Sequence, residues 1–410
     1  MLHASGGFRF LSNSGSFTMK RQWEVDALRG LMLVLMTITH LPTRLTEPLG
    51  QPFGFVSAAE GFVLLSAYMA GLVYSRRAYR DGMASMQRAF RQRALKVYMC
   101  HAATLLFLFT VITAVGLRSD QSAVKNLASY YLAQPHAAFL AGLLLVYEPP
   151  LLDILPMYVL FMLISPWALA FTLRHGWRGV LATSVLLWLL SHVGLSEWMY
   201  QGLAAWTGLP VPLGETGSFN TFSWQLLWLV GLWMGASRNA PGAQPFRLPP
   251  WSVALAAAVA LYGFYWRHEG INGQAPFGGD VQLNMLFDKW QLGPLRLLNF
   301  LALGILTIRF GPLLLRKLPR QRWLESMGAA SLEVFCAQLV VVLLVLALFG
   351  NNPLARPWWG DALLVSAVFA ALYGVARVTL RRTSAAAGVG VTPPAVGAVK
   401  CDTMTDCHSR

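Results

Sequence analysis

The stretch DALRGLMLVLMTITH, residues 26–40, decides how the whole chain is read. Most of it is Leu, Met, Val, Ile and Thr, the make-up of a helix in hydrocarbon, yet it carries Asp26, Arg29 and His40. At about 100° per residue, Arg29 and His40 differ by only ~20° around such a helix, and Asp26 lies within ~60° of both. All three share one stripe. Along the axis, a rise of about 1.5 Å per residue separates Arg29 from His40 by ~16 Å. Taken singly, Asp26 and Arg29 make an interfacial i,i+3 ion pair and His40 an interhelical hydrogen bond. Their alignment points instead to a functional face, because a bilayer tolerates ionisable groups mainly where they are used. Gly30, beside Arg29, offers a place where another group can approach the backbone closely.

Outward from this stretch the same chemistry repeats. The chain has 410 residues, 56% hydrophobic and 12% charged, which describes an all-α polytopic membrane protein. Apolar runs fall at about 25–44, 54–75, 94–116, 151–173, 177–194, 223–236, 251–266, 295–312, 329–349 and 361–380, so about ten transmembrane helices are expected. The net charge of +14 follows the loops rather than one nucleic-acid-binding face. With the N-terminus cytoplasmic, 25 of the Lys and Arg residues fall inside and 7 outside, which places the C-terminus inside as well. No nucleic acid partner is expected. Membrane lipid is, and the 15 Trp, 12 Tyr and 23 Phe suit interfacial belts.

Residues 1–20 read as a cytoplasmic tail in which Met19 is a plausible true start, residues 21–382 as one membrane domain, and residues 383–410 as a disordered cytoplasmic tail. Cys100, Cys336, Cys401 and Cys407 imply no disulfide framework. There is no P-loop, no GxGxxG after a strand and no HExxH, so neither a bound cofactor nor a metal is expected.

Function is therefore sought among polar residues in the spans. The second span, FGFVSAAEGFVLLSAYMAG at 53–71, brings Glu60 to a depth close to that of His40. A carboxylate there fixes an imidazole tautomer and raises its basicity, so Glu60 is expected to orient His40 as a general base. The cationic run RRAYRDGMASMQRAFRQR, residues 76–93, is a topology anchor on anionic lipid or a landing strip for a phosphorylated cofactor, with Arg76 and Arg77 as its first contacts beside Asp26 and Arg29. In DKWQLGPLRLLNF, residues 288–300, Arg296 and Asn299 share a face and are placed to bind a carboxylate or an oxyanion. Asp153 and Tyr158 of DILPMY, Trp224 and Gln225 of the sixth span, and more weakly His101 and Gln338, complete the candidates for acceptor or acyl binding.

With Asp26, Arg29, Gly30 and His40 identified, the chain resembles the OpgC family of integral-membrane succinyltransferases, relatives of the acyltransferase-3 superfamily. The first-span signature of that superfamily is an Arg or Lys and a His with ten residues between them, the spacing of Arg29 and His40. Supporting matches are FGFVSAAEGFVLLSAYMAGLVY, LPMYVLF, FSWQLLWLVGLWMG and LGPLRLLNFLALG, and the resemblance covers roughly residues 21–382. SLEVFCAQ departs from the pattern, with Cys336 and Gln338 where the resemblance leads one to expect a Ser and a His. The resemblance implies transfer of a succinyl group from cytosolic succinyl-CoA to a periplasmic glucan or related saccharide, in the inner membrane of a Gram-negative bacterium. Acyl-CoA would be a co-substrate. Two other classes use the same residues: a proton-coupled transporter or flippase relaying protons through Asp26, Glu60 and His40, and a scaffold subunit of a glucan-synthesis complex.

Overall fold

A computed structural model describes residues 22–240, 248–269, 276–352, 354 and 356–388. Among these residues every regular element is helical. The principal helices are α1 (Trp23–His40), α2 (Ala58–Asp81), α3 (Met83–Arg118, with a π-helical turn at Leu108–Ile112), α4 (Ile154–His175), α5 (Arg178–Ser191) and α6 (Leu195–Thr207). They continue as α7 (Thr221–Ser237), α8 (Pro250–Glu269), α9 (Pro294–Lys317), α10 (Arg322–Ala329), α11 (Ser331–Phe349) and α12 (Trp358–Gly388). The tail 1–20, the choice of start and Cys401 and Cys407 lie outside the described residues.

Each apolar run of the sequence becomes a helix, but they are not equal as spans. Among the described residues, α2, α3, α4, α9, α11 and α12 are long and apolar enough to cross a bilayer, six in all, or seven if α5 and α6, bent by 79°, form one broken span. α1 carries Glu24, Asp26 and Arg29 within its 18 residues, and α7 is only 17 residues long, so the expected count of ten rests on helices of mixed character. Trp167, Phe171, Leu186, Trp251, Leu261 and Trp358 are each half or more exposed, which suits a hydrocarbon surround rather than water. This is a membrane protein. The expected tail at 383 is corrected in one respect: α12 runs on to Gly388, since the Ala-rich TSAAAG favours helix once the turn before it is formed.

Small residues set how closely the helices approach. α1 is clasped by the short α10: a Cβ at Gly30 would strike the Leu324 carbonyl, and a Cβ at Gly328 would strike the Asp26 carbonyl. α2 and α7 meet in the same manner, with Gly71 against the Leu232 carbonyl and Gly235 against the Tyr68 carbonyl. The main core then fills between α1, α2, α4, α7 and α11, where Leu33, Val63, Trp224, Trp228 and Val334 are sealed.

One ion pair fastens α9 to α2. Glu60 and Arg296 are 0% and 2% exposed, and the Arg296 Nε donates to the Glu60 Oε1 at 2.5 Å. The other carboxylate oxygen of Glu60 accepts from the Ser57 backbone N–H at 3.1 Å and from the Ser57 hydroxyl at 2.5 Å. Glu60 thus closes the first turn of α2 as the acidic half of an S-x-x-E cap. Arg296 spends a second donor, Nη1, on the Phe287 carbonyl at 3.3 Å.

Two outcomes follow from this packing. Gly328→Leu forces α10 off α1 and is expected to cost about 1–3 kcal/mol, read as a lower unfolding midpoint in detergent. Glu60→Gln leaves a buried guanidinium without its counter-charge, at about 3–5 kcal/mol, and Glu60→Gln with Arg296→Met recovers most of that loss in the same measurement.

Candidate active site

α1 carries polar chemistry at both ends, and its two ends are furnished differently. At the first, Arg29 donates through Nη2 to the Ser331 hydroxyl at the start of α11, and its Nη1 lies 3.8 Å from the Asp26 carboxylate. Asp26 is 2% exposed, so the pair is an internal one and not a snorkelling surface bridge. α10 sets this geometry, because its contact with Gly30 and Asp26 delivers the chain to Ser331 beside the guanidinium.

Beside Arg29 lies a cavity of about 200 Å³ between α1, α2, α3, α4 and α11. Its polar lining is Arg29, Ser66, Tyr74, Arg93, Tyr158 and Ser331, and its walls are apolar side chains such as Phe62, Val97 and Phe335. From Tyr74 to Phe62 it follows α2 for twelve residues, a length of ~18 Å. The Ser66 hydroxyl is sealed without a hydrogen-bond partner among the described residues. Tyr158 donates to the Phe62 carbonyl at 3.3 Å and is braced by Trp228, whose ring centroid is 5.1 Å away. The cavity is lined mostly by apolar side chains and has two guanidinium groups, Arg29 and Arg93, in its polar lining.

Arg93 is the residue that the sequence reading did not single out. It is half-buried, lines the cavity and makes no hydrogen bond or ion pair among the described residues. The signal was present: Met86, Phe90, Arg93 and Val97 stand at i, i+4, i+7 and i+11, so the last basic residue of the cationic run rides on the buried face of α3. Arg76 and Arg77, expected as donor contacts, do not line the cavity. Arg77 is exposed, donates to the Ser85 hydroxyl at 3.0 Å and lies 3.9 Å from Asp81.

At the other end, His40 is half-buried and its Nδ1–H donates to the Met36 carbonyl at 2.6 Å. A carbonyl only accepts, so Nδ1 carries the proton and Nε2 presents its lone pair. No described residue bonds Nε2, and it is not among the sealed, unsatisfied atoms. The expectation that Glu60 orients His40 is therefore corrected. Glu60 is saturated by Ser57 and Arg296, and the backbone of α1 itself performs the orienting. His40 does not line the cavity, which stops short of it.

The remaining candidates divide between packing contacts and the polar segment around Asp153 and Lys289. Asn299 accepts from the Phe55 N–H at 3.0 Å and is wedged between Gly54 and Gly263, so it ties the loop before α2 to α8. Trp224 is wholly buried and donates to the Trp290 carbonyl at 3.0 Å. Gln225 bridges to the Ser184 carbonyl and hydroxyl, each at 2.8 Å, joining α7 to α5. These three are engaged in structure. His101 is buried and its Nε2–H donates to the Gly142 carbonyl at 3.0 Å, since that partner only accepts. Asp153 sits at the head of α4, accepts from the Ser218 N–H at 3.4 Å and is 5% exposed. Next to it, burial and the Asp153 charge push the Glu148 carboxyl well above the usual carboxylate range. Lys289 lies over the Trp290 ring at 4.4 Å and the Phe219 ring at 5.6 Å. Among the described residues no group of three or more His, Cys, Asp or Glu is placed to hold a metal ion.

Comparison with known proteins adds one finding to this geometry. No curated protein and no solved structure matches the chain. The family model described as OpgC protein matches residues 21–384, nearly the whole length and all of the elements that build the two ends of α1. The chain belongs to the OpgC protein family.

Proposed function

We propose that the chain is an integral-membrane O-acyltransferase, carrying a succinyl group from cytosolic succinyl-CoA to a hydroxyl of a periplasmic glucan or related saccharide across a bacterial inner membrane. One observation carries this reading. A single helix joins a cationic, arm-shaped cavity at one end to an imidazole in the tautomer of a base at the other. Membership of the OpgC family supports the same reaction class, and the ten-residue spacing between Arg29 and His40 links it to acyltransferase-3 enzymes.

In this scheme Arg29 and Arg93 hold the phosphates of the donor, with the exposed cations of the cytoplasmic loop, Arg77 and its neighbours, raising the local donor concentration. The neutral pantetheine arm lies along the wall formed by Phe62, Val97 and Phe335 and continues toward the His40 end. There the Nε2 of His40 takes the proton of the acceptor hydroxyl as its oxygen attacks the thioester carbonyl. A carbon–oxygen ester bond forms, the carbon–sulfur bond breaks, and the proton held on His40 passes to the departing thiolate. No further reactant is required. Asp153 and Glu148, close together at the outer mouth, supply polar contacts to the saccharide.

His40→Gln is expected to lower turnover by about 10²–10⁴-fold while the donor KM and the melting temperature stay near the parental values. The measurement is release of CoA thiol, with mass analysis of the glucan, from protein in liposomes. Parental turnover in a folded His40→Gln protein would exclude the scheme. Arg93→Ala removes a charge-assisted contact to the donor and is expected to raise the acyl-CoA KM about tenfold or more without lowering kcat, with a matching loss of the thermal shift caused by CoA.

A further inference from the structure

Transfer at His40 places negative charge in an apolar surround, and a cation must receive it. Arg296, the residue whose position in the sequence best suited that task, is occupied. Its Nε is committed to Glu60 and its Nη1 to the Phe287 carbonyl, and the remaining Nη2 is sealed from any approaching group. The Asn299 side-chain oxygen is committed to Phe55, and its Nδ2 is sealed from any approaching group. Among the described residues, Lys289 is a second cation whose charge acts on His40.

Lys289 lies in the segment that leads into α9, within electrostatic reach of His40, Glu60, Asp153, Asp288 and Arg296. Its ammonium makes no hydrogen bond or ion pair within 4 Å among the described residues, and it is not among the sealed atoms. It is held instead over the faces of Trp290 and Phe219. The Phe219 ring packs edge-on against Trp224 and Trp290, with centroids 4.7 and 5.1 Å away, and the Trp290 backbone carbonyl accepts from both the Asn220 N–H and the Trp224 indole, each at 3.0 Å. An ammonium steadied by ring faces keeps all three donors for another partner, and in a poorly solvated pocket each is worth more than in water. Burial draws the Lys289 ammonium below its ordinary range, and the Glu60 carboxylate pulls in the opposite direction.

We propose that Lys289 is the anion-receiving group of the transfer site, binding the negative charge that arises or arrives beside His40. The inference rests on the acyl-transfer reading above. Two sources share this chemistry, the oxyanion that develops on the thioester carbonyl and the free carboxylate of a dicarboxylic acyl group.

The test compares parental protein, Lys289→Met, Lys289→Arg and His40→Gln in liposomes, with acetyl-CoA and succinyl-CoA as donors. Lys289→Met is expected to lose about 10²-fold in kcat with an unchanged melting temperature and CoA-induced thermal shift, and Lys289→Arg to recover most of the loss. Equal loss with both donors assigns the charge to the carbonyl oxygen. Loss confined to succinyl-CoA assigns it to the free carboxylate. Parental rates of Lys289→Met with both donors, or a loss that tracks a fallen melting temperature and is not rescued by Lys289→Arg, overturns the proposal while an inactive His40→Gln leaves the acyl-transfer reading standing. If the parental protein transfers neither acyl group, that reading fails and the role of Lys289 falls with it.

Discussion

A carboxylate and a guanidinium shut away from water must face each other, and the pair made by Glu60 and Arg296 sets how the starts of α2 and α9 meet. Glu60 is held by Ser57 and Arg296, and Arg296 by Glu60 and Phe287, with its remaining Nη2 sealed from any approaching group. The pair binds the start of α2 to the start of α9 and with them the loop carrying Phe55, whose N–H is held by Asn299 one turn beyond Arg296. Both charges are thus consumed internally, whereas the His40 Nε2 and the Lys289 ammonium make no hydrogen bond among the described residues.

The same economy operates at the other end of α1. Asp26 and Arg29 are held against α10 and the start of α11, and the close backbone approach at Gly30 and Gly328 makes that possible. Arg29 is thereby fixed in direction, one side on Ser331 and the other toward the cavity that it shares with Arg93. The two ends of α1 are thus rigid for different reasons, a backbone clasp at Arg29 and an i−4 hydrogen bond to the Met36 carbonyl at His40. A helix of fixed rise keeps the Arg29 cavity and the His40 imidazole at constant separation, which is what positioning requires of a scaffold.

How much of the site was legible varied with the range of the interaction involved. The stripe of Asp26, Arg29 and His40 follows from helical periodicity alone, and the structure keeps all three on α1. Glu60 was visible as a buried carboxylate, but its partner was chosen by depth, and depth does not say which of two neighbours a side chain turns toward. The S-x-x-E pattern at Ser57 was a local sign that Glu60 folds back onto its own helix. Arg93 was hidden in a run of like charges, where its place on the face of Met86 and Phe90 carried more information than the charge itself.

The sequence by itself determined the class of the protein, the placement of its helices and the stripe on α1, because hydrophobicity and a period of 3.6 residues are properties of a single segment. Its expectation of about ten spans counted α1 and α7 alongside the six helices that, among the described residues, are long and apolar enough to cross a bilayer. Only the tertiary structure decided which charges are spent and which remain available. Arg296 and Lys289 lie seven residues apart in the same loop and helix, yet one is sealed against Glu60 and the other rests on ring faces with its donors unused. That difference arises from pairing between α2 and α9 across more than two hundred positions, and pairing of buried charges is decided by what meets in space.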